Sequence, residues 1–507
     1  MHVESVTWIA ERKDVMYGFF FLLSSIFYLK YHISKKKNAL IICFIFFVCS
    51  CLSKAMGVVL PVVFILIDWF LEKATTKELL RNTLSKIPFF LVSIAIGIIA
   101  FQIQREGAIA SAETFTFFQR LTFGCYGLIM YIYKFFLPIN LSTFYPYPFT
   151  DDYGNIPAIY YLSPAIVLFI AIVIFFILKK KENIGKILAF GFAFYFVTIA
   201  LVLQFISVGA VIMADRYSYL SYIGLFFIVG YFFEYTGKYF SSFVSKLFAG
   251  IIIISIGIFS YLTHERTKIW TNAETLWTDV MNQFPFVEIS YENRGIFYKD
   301  HNQLDKMLID YKFVTEKLHS KNEKIWSNLG NLYGLLKQFD KSLVAYSRAI
   351  ELNPKNAGTY LNRAITYSMM GQYAKAIPDY DKAIVLIPNE SLTYKNRAYT
   401  LLQLGKCEQS ISDYDKAIQL NEYDTLSFLN RGIAKFNAKL YNVALKDFQK
   451  YISMNPNNPQ AYFNASVAAK NMELYNESLQ YAERAQSLGQ KIDPKYIEEI
   501  KTKKISQ

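Results

Sequence analysis

A chain of 507 residues, 53% of them hydrophobic and 17% aromatic, is too long and too apolar to be one soluble domain. Its formal charge of +13 does not mark a nucleic-acid binder, because the bases stand at the ends of apolar runs or scattered along predicted helices, as in a membrane protein flanked by lysines. Of the five cysteines, Cys43, Cys49, Cys51 and Cys125 lie in apolar segments and Cys407 stands apart, which argues against a disulfide framework and against a zinc site.

The opening MHVESVTWIAERKDV lacks the basic stretch, apolar core and small-residue cleavage site of a signal peptide, so membrane targeting falls to the first apolar segment, 15–31. A hydrocarbon core about 30 Å thick needs roughly 20 apolar helical residues. Candidates follow at 15–33, 39–53, 55–71, 87–104, 118–137, 161–178, 187–206, 217–235 and 246–263. The second and third are short and read as a hairpin whose turn carries Lys54. Lysine and arginine are retained on the cytoplasmic side. Placing Lys30 with Lys35–Lys37, Lys73 to Lys86, Lys179–Lys181 with Lys186, and Lys238 with Lys246 inside puts Lys54, the 105–116 and 206–216 loops and everything after 263 outside. Segment 118–137 breaks the alternation. Its Arg120 and Lys134 and the aromatic, proline-containing stretch after it suit an interfacial or re-entrant placement.

From His264 the sequence turns polar and periodic. Asn328, Asn362, Asn396, Asn430 and Asn464 recur every 34 residues, and Asn293 precedes them by 35. A 34-residue period with alternating small and aromatic positions is the signature of tetratricopeptide (TPR) repeats. In one unit Tyr360, Ala364 and Tyr367 mark a first helix and Ala376, Tyr380 and Ala383 a second. Gly371 and Gly405 suit the inter-helix turn, and Pro354, Pro388 and Pro456 help to end the second helix. The expected fold is all-α: a polytopic transmembrane helical domain over 1–263, a connector or half-repeat over 264–287, a TPR α-solenoid of about six repeats over 288–490, and a tail over 491–507. Such stacks form a concave groove lined by first helices. An Asn amide offers a donor and an acceptor that match an extended peptide backbone. The ladder Asn293, Asn328, Asn362, Asn396, Asn430 and Asn464 therefore reads either as a peptide-gripping surface, similar to that of the nucleocytoplasmic O-GlcNAc transferase superhelix, or as a brace between repeats. The arginines beside it, Arg294, Arg363, Arg397 and Arg431, read as solvated or packing features.

Four phrases in the first half carry a resemblance: HVESVTWIAERKDVMYGFFFLLSSIFYLKY, LSKAMGVVLPVVFILIDWF, FTFFQRLTFGCYGLIMYIYKFFLPINLSTFYPYP and ADRYSYLSYIGLFF. Followed by TPRs, they resemble the bacterial relatives of the transmembrane and TPR-containing (TMTC) proteins, membrane glycosyltransferases of the GT-C class. The resemblance implies transfer of a sugar, mannose in the animal members, from a polyprenyl-phosphate donor to Ser or Thr hydroxyls of a protein on the extracytoplasmic side. No cofactor or metal is expected, and the partners are membrane lipid and a polypeptide in the groove. In that chemistry a carboxylate is the general base and cations hold the donor phosphate. Charges at membrane depth are costly, which makes His2, Glu4, Arg12, Asp14, Lys54, Asp215 and Arg216 the candidates. The blander alternatives are that Arg216 pairs with Asp215 or a headgroup and that ERKD caps a helix.

In the family the HVESV phrase follows an external loop bearing the acidic catalytic residue. The resemblance therefore implies either a fragment of a longer enzyme or a shortened form lacking that base. The competing reading is a non-catalytic, membrane-anchored TPR scaffold. The Lys, Asn, Ile, Phe and Tyr bias suggests an AT-rich bacterial genome, which would place the repeats in the periplasm; in an animal they would be lumenal.

Overall fold

The computed structural model describes residues 12–71, 83–105, 115–148, 155–205 and 211–505 and divides into two compact units, Met1–Phe297 and Tyr298–Gln507. In the first unit the order is α1 (Arg12–Ser34), α2 (Lys37–Ser53), a 3-10 turn (Ala55–Val59) leading into α3 (Leu60–Leu71), α4 (Ile87–Arg105), α5 (Phe117–Phe136), β1 (Tyr145–Pro146), α6 (Ala158–Lys180), α7 (Glu182–Ile199), β2 (Val211–Met213), α8 (Tyr222–Tyr239), α9 (Ser242–Ile269), α10 (Ala273–Gln283) and α11 (Glu288–Asp300). The two short strands pair antiparallel.

Among the described residues, three helical stretches are long and apolar enough to cross a membrane: Ala158–Lys180, Glu182–Val202 and Ser242–Ile269. Lys37–Ser53, Ala55–Leu71 and Ile87–Ile103 are apolar but shorter. Much of this apolar surface faces outward, including Phe169, Phe175 and Phe176 on α6 and Ile251, Ile253, Ile254, Ile256 and Ile258 on α9.

Aromatic packing holds the first helices together. Phe21, Phe47 and Phe64 are fully buried, Tyr28 stacks on Phe64 at 4.2 Å, and Phe89 of α4 meets Phe47 at 5.2 Å. Helices α7 and α8 touch backbone to backbone. A Cβ on Gly191 would lie 2.7 Å from the Gly224 carbonyl oxygen, and one on Gly224 would lie 2.4 Å from that of Gly191. Only glycine allows this approach, a device common where helices pack without a hydrophobic driving force.

The chain reverses at Lys54, so α1, α2 and α3 run alternately up and down. One end of the bundle gathers bases: Lys86 reaches Asp68 at the end of α3, and Lys186 of α7 lies 5.9 Å from the Phe70 ring. The other end carries Asp14, Lys54, Asp215 and Arg216. Between Phe123 and Lys134, α5 touches loops of that second end. Phe123 packs on Tyr147, the Tyr131 hydroxyl donates to the Ala214 carbonyl, and Lys134 donates to the Asn140 carbonyl.

The division between units falls later than the expected boundary after residue 263. Gln283 Nε2 donates to the Leu141 carbonyl at 3.0 Å and Phe284 meets Tyr145 at 6.2 Å, so the segment expected as a connector belongs to the first unit.

The boundary falls inside α11, after Phe297, and the first complete helix of the second unit is α12 (Leu304–Lys312), which runs into a π-helical turn (Phe313–Lys317). Helical hairpins follow: α13 (Glu323–Leu335) with α14 (Phe339–Leu352), α15 (Ala357–Met369) with α16 (Tyr373–Leu386), α17 (Ser391–Gln403) with α18 (Cys407–Leu420), α19 (Thr425–Asn437) with α20 (Tyr441–Met454), and α21 (Pro459–Asn471) with α22 (Tyr475–Ser487). Ala364, Ala376 and Ala383 are buried against Tyr360 and Tyr380, as the small and aromatic alternation requires. Second helices end at Leu352, Leu386 and Met454, two residues before the prolines. Each turn needs a left-handed residue, supplied by Gly371 and Gly405 but also by Lys337, Lys439 and Glu473 at φ 58°, 61° and 61°. The stretch expected as a tail is instead a helix, α23 (Pro494–Ile505). It buries Ile500 and sets Tyr496 against Phe463 at 5.7 Å, covering the apolar edge that a last repeat leaves open.

Candidate functional site

The α1 helix begins with RKD, and its third residue turns inward. Asp14 is buried, and one carboxylate oxygen accepts from Lys54 Nζ, the residue at which α2 gives way to the 3-10 turn. Its other oxygen, Oδ2, is buried with no hydrogen-bond partner among the described residues. Lys54 Nζ lies 5.8 Å from the Tyr217 ring centroid, and the Arg216 guanidinium lies 4.9 Å from the same centroid. The turn preceding α8 thus brings two cations and a buried carboxylate to one place. Three of the seven candidates meet here. His2 and Glu4 lie outside the described residues, as does the side chain of Arg12.

Asp215 is separate from this group and does not pair with Arg216. It is buried, and the Tyr145 hydroxyl donates to both its oxygens at 2.9 and 3.0 Å; the same hydroxyl accepts from the Ser142 amide at 2.7 Å. Burial pushes the Asp215 carboxyl up to about 6, against the opposing pull of Lys134, Tyr145 and Arg266. Lys134 Nζ lies 4.8 Å from the Tyr145 ring centroid, and Arg266 is held by Asp279 at 2.8 Å. Beside this cluster a cavity of about 670 Å³ is lined by Lys134, Asn140, Tyr145 and Gln283 together with Tyr126, Tyr160 and Phe284.

A third charged cluster escaped the sequence reading. At the basic end Asp68 accepts from the Tyr28 hydroxyl at 2.7 Å and from Lys86 Nζ at 2.5 Å, with His32 Nδ1 at 3.6 Å. Asp68 and Lys86 are both almost completely buried. The signal was one carboxylate inside the apolar run VVFILIDWFL, which is costly unless it is paired.

In the second unit the asparagines occupy one register of successive first helices, all half-buried. Exposed apolar side chains share their face at helical spacing. Leu392, Asn396 and Tyr399 stand at i, i+4 and i+7, Leu426 precedes Asn430 by four, and Leu335 and Met369 follow Asn328 and Asn362 by seven. Asn362 Nδ2 donates to Asn331 Oδ1 of the preceding repeat at 3.0 Å, and Asn464 Oδ1 accepts from Gln460 of its own helix at 2.9 Å. Asn293, in the first unit, is likewise half-buried on α11.

Family models described as tetratricopeptide repeat match residues 323–356, 345–377 and 393–424. The second unit is built of TPRs. Solved TPR structures similar to this chain include MamA (22% identity, covering 32% of this chain and 94% of that one, TM-score 0.31). Another is YrrB, described as a TPR protein with an unusual peptide-binding site (21%, 35% and 92%, TM-score 0.33). A TPR protein from Parabacteroides merdae matches at 19% identity, covering 48% of this chain and 96% of that one, with a TM-score of 0.34. No curated protein matches the chain.

Within the TPR array the arginine that follows Asn362, Asn396 and Asn430 is a stitch. Arg363, Arg397 and Arg431 form two-pronged pairs with Asp379, Asp413 and Asp447, each sixteen residues ahead, at 2.6 to 2.8 Å. Sixteen residues behind, Arg397 reaches Asp381 and Arg431 reaches Asp415, both at 2.6 Å, whereas Arg363 finds only the Ser347 hydroxyl at 3.0 Å. The acids were legible too, as the DYD of two successive repeats, once the arginines were recognised as their partners. TPR arrays of this build are scaffolds for protein–protein contact.

Proposed function

We propose that the TPR unit holds an extended polypeptide along its first helices. The supporting observation is the shared face of half-buried Asn amides and exposed Leu335, Met369, Leu392, Tyr399 and Leu426. Amides at a fixed interval match backbone groups, while the apolar side chains between them take aliphatic or aromatic residues of the ligand. The bond from Asn362 to Asn331 favours a bracing share for that one residue. The test uses the full chain in detergent against an array of random unstructured peptides. Wild type should retain a subset enriched in apolar residues, and a variant with Asn328, Asn396 and Asn430 all changed to Ala should lose that subset at least tenfold with its melting temperature unchanged. Equal retention by the variant would remove the reading.

We further propose that the first unit is embedded in a membrane, with its basic end on the cytoplasmic side, and that its opposite end handles a polyprenyl-phosphate sugar. Outward apolar faces on α6 and α9 and the collection of lysines at one end support the embedding. What favours the donor site is the Asp14, Lys54 and Arg216 group. A phosphate would be held by Lys54 and Arg216, while Asp14 fixes Lys54 and keeps one carboxylate oxygen unengaged. The first unit then acts as a binding and positioning body for the lipid-linked donor. Lys54→Gln and Arg216→Gln should each weaken binding of a short-chain polyprenyl-phosphate sugar about tenfold or more in a detergent-solubilised binding assay. Binding unchanged in both variants would leave the scaffold as the sole function supported.

A further inference from the structure

A second cavity, of about 400 Å³, opens at the basic end of the first unit between the end of α3, the start of α7 and the last turns of α8. Phe70, Asn183, Lys186, Glu234, Tyr235 and Lys238 are among its walls. Lys186 is half-buried, and its ammonium lies 5.9 Å from the ring centroids of both Trp69 and Phe70, so rings from the end of α3 hold it over the cavity. Lys238 lies 5.6 Å from the Tyr239 ring centroid. Neither lysine has a carboxylate within ion-pair distance among the described residues, and nor does Glu234 have a base. Two ammonium groups and one carboxylate among the walls of one cavity leave an uncompensated positive charge, and an anion between the lysines removes their mutual repulsion.

We infer that this cavity binds the phosphodiester of an acidic phospholipid headgroup, an inference that rests on the membrane-embedded reading above. Charge decides between the possible anions. Two ammonium groups and the Glu234 carboxylate leave the cavity at +1 (2 − 1), which a phosphodiester monoanion neutralises. A phosphomonoester carries close to two negative charges at neutral pH and leaves an excess beside Glu234. The surroundings suit a lipid as well. Phe226 and Phe233 of α8 are exposed, offering apolar surface for acyl chains, and the tyrosines of its last turns, Tyr235 tilted against Tyr239 at 4.6 Å, give the amphipathic ring surface found at headgroup depth. Asn183 and Glu234 stand where headgroup hydroxyls can be hydrogen-bonded. Basic pockets between helices on the cytoplasmic side are suited to anionic headgroups for these reasons.

The test takes the full chain in neutral detergent, stripped of lipid, and measures binding of phosphatidylglycerol, phosphatidylcholine and inorganic phosphate by native mass spectrometry. Wild type should bind phosphatidylglycerol in preference to phosphatidylcholine, with inorganic phosphate failing to displace it. Each lysine near an anionic headgroup contributes roughly five- to sixfold, so Lys186→Gln with Lys238→Gln should cost about thirtyfold. Lys186→Arg, which keeps the charge, should retain binding and shows that the fold is intact. Lys179→Gln with Lys181→Gln removes exposed lysines of the same end from outside the cavity and should change binding little. An equal loss in that control means diffuse surface attraction and overturns the site. Displacement by inorganic phosphate would make it a site for soluble phosphate and overturns the lipid assignment. Release of the chain from its membranes by alkaline carbonate would overturn the embedded reading and this inference together, whereas a membrane-retained chain with no difference between variants sinks this inference alone.

Discussion

Asp215 shows how a single side chain's surroundings set its behaviour. Its folded carboxyl titrates near 6, above the 3.8 of an unstrained aspartate. The folded state therefore holds the proton more tightly, so stability falls as pH rises from about 4 through about 6 and is flat beyond. Across that window wild type should lose on the order of 2 to 3 kcal/mol relative to Asp215→Asn, which keeps an acceptor for Tyr145 and does not titrate. Thermal unfolding of both proteins between pH 4 and pH 7.5 checks the sign; a wild type that gains on Asp215→Asn with rising pH contradicts it. In the repeats the informative single residue is Lys439. It holds φ 61° at the turn where Gly371 and Gly405 stand in other repeats. Left-handed backbone costs a residue with a Cβ about 1 to 2 kcal/mol, part of which glycine returns through its freer unfolded state. Lys439→Gly should stabilise the array by about 1 kcal/mol in denaturant unfolding, and Gly405→Ala should destabilise it by a similar amount.

At the scale of helices, the arginine stitches decide how repeats hold one another. Arg397 bridges Asp381 on the second helix behind it and Asp413 on the second helix ahead, so it pins three helices at once. Arg397→Ala leaves Asp413, nearly buried, without its cation and should cost about 2 to 3 kcal/mol. Replacing Asp413 by Ala as well should recover part of that loss, because the uncompensated charge goes with it. Arg363, which has Ser347 where the later repeats have an aspartate, should cost less on replacement. Hydrogen exchange should then show the α14 to α15 junction opening more readily than the two that follow. In the first unit the corresponding decisive contact is glycine on glycine. Gly224→Val drives a branched side chain into the Gly191 carbonyl, and the separation of α7 from α8 should remove the detergent-stable fold altogether. Recovery of a monodisperse, heat-stable Gly224→Val protein would show that the helices part without cost.

For the molecule as a whole, the two halves differ in how much of them the sequence displayed. The TPR unit was legible almost residue by residue. A 34-residue period repeats each contact, so Ala364, Ala383 and Ala417 announce close helix approach wherever they recur, and the helices end where Pro354 and Pro388 imply. What the period could not show lies where it stops: α23 closes the array where a tail was expected, because an unrepeated helix leaves no periodic trace. The first unit has apolar runs whose existence is legible and whose partners are not. Asp14 finds Lys54 across 40 residues, Asp68 finds Lys86 across 18, and Tyr145 finds Asp215 across 70. The family resemblance and the cost of charge near hydrocarbon single out Asp14, Lys54, Asp215 and Arg216 one by one, and only the fold shows that Asp14, Lys54 and Arg216 come together while Asp215 lies against Tyr145. Sequence alone thus determined the repeat, its turns and the segregation of lysines, since these arise from neighbours along the chain. Tertiary structure alone decided which charges share a site, which end of the bundle each occupies and where the two units divide. Those outcomes depend on how non-repeating helices fold back on one another, and in a bundle without a period no local pattern encodes that.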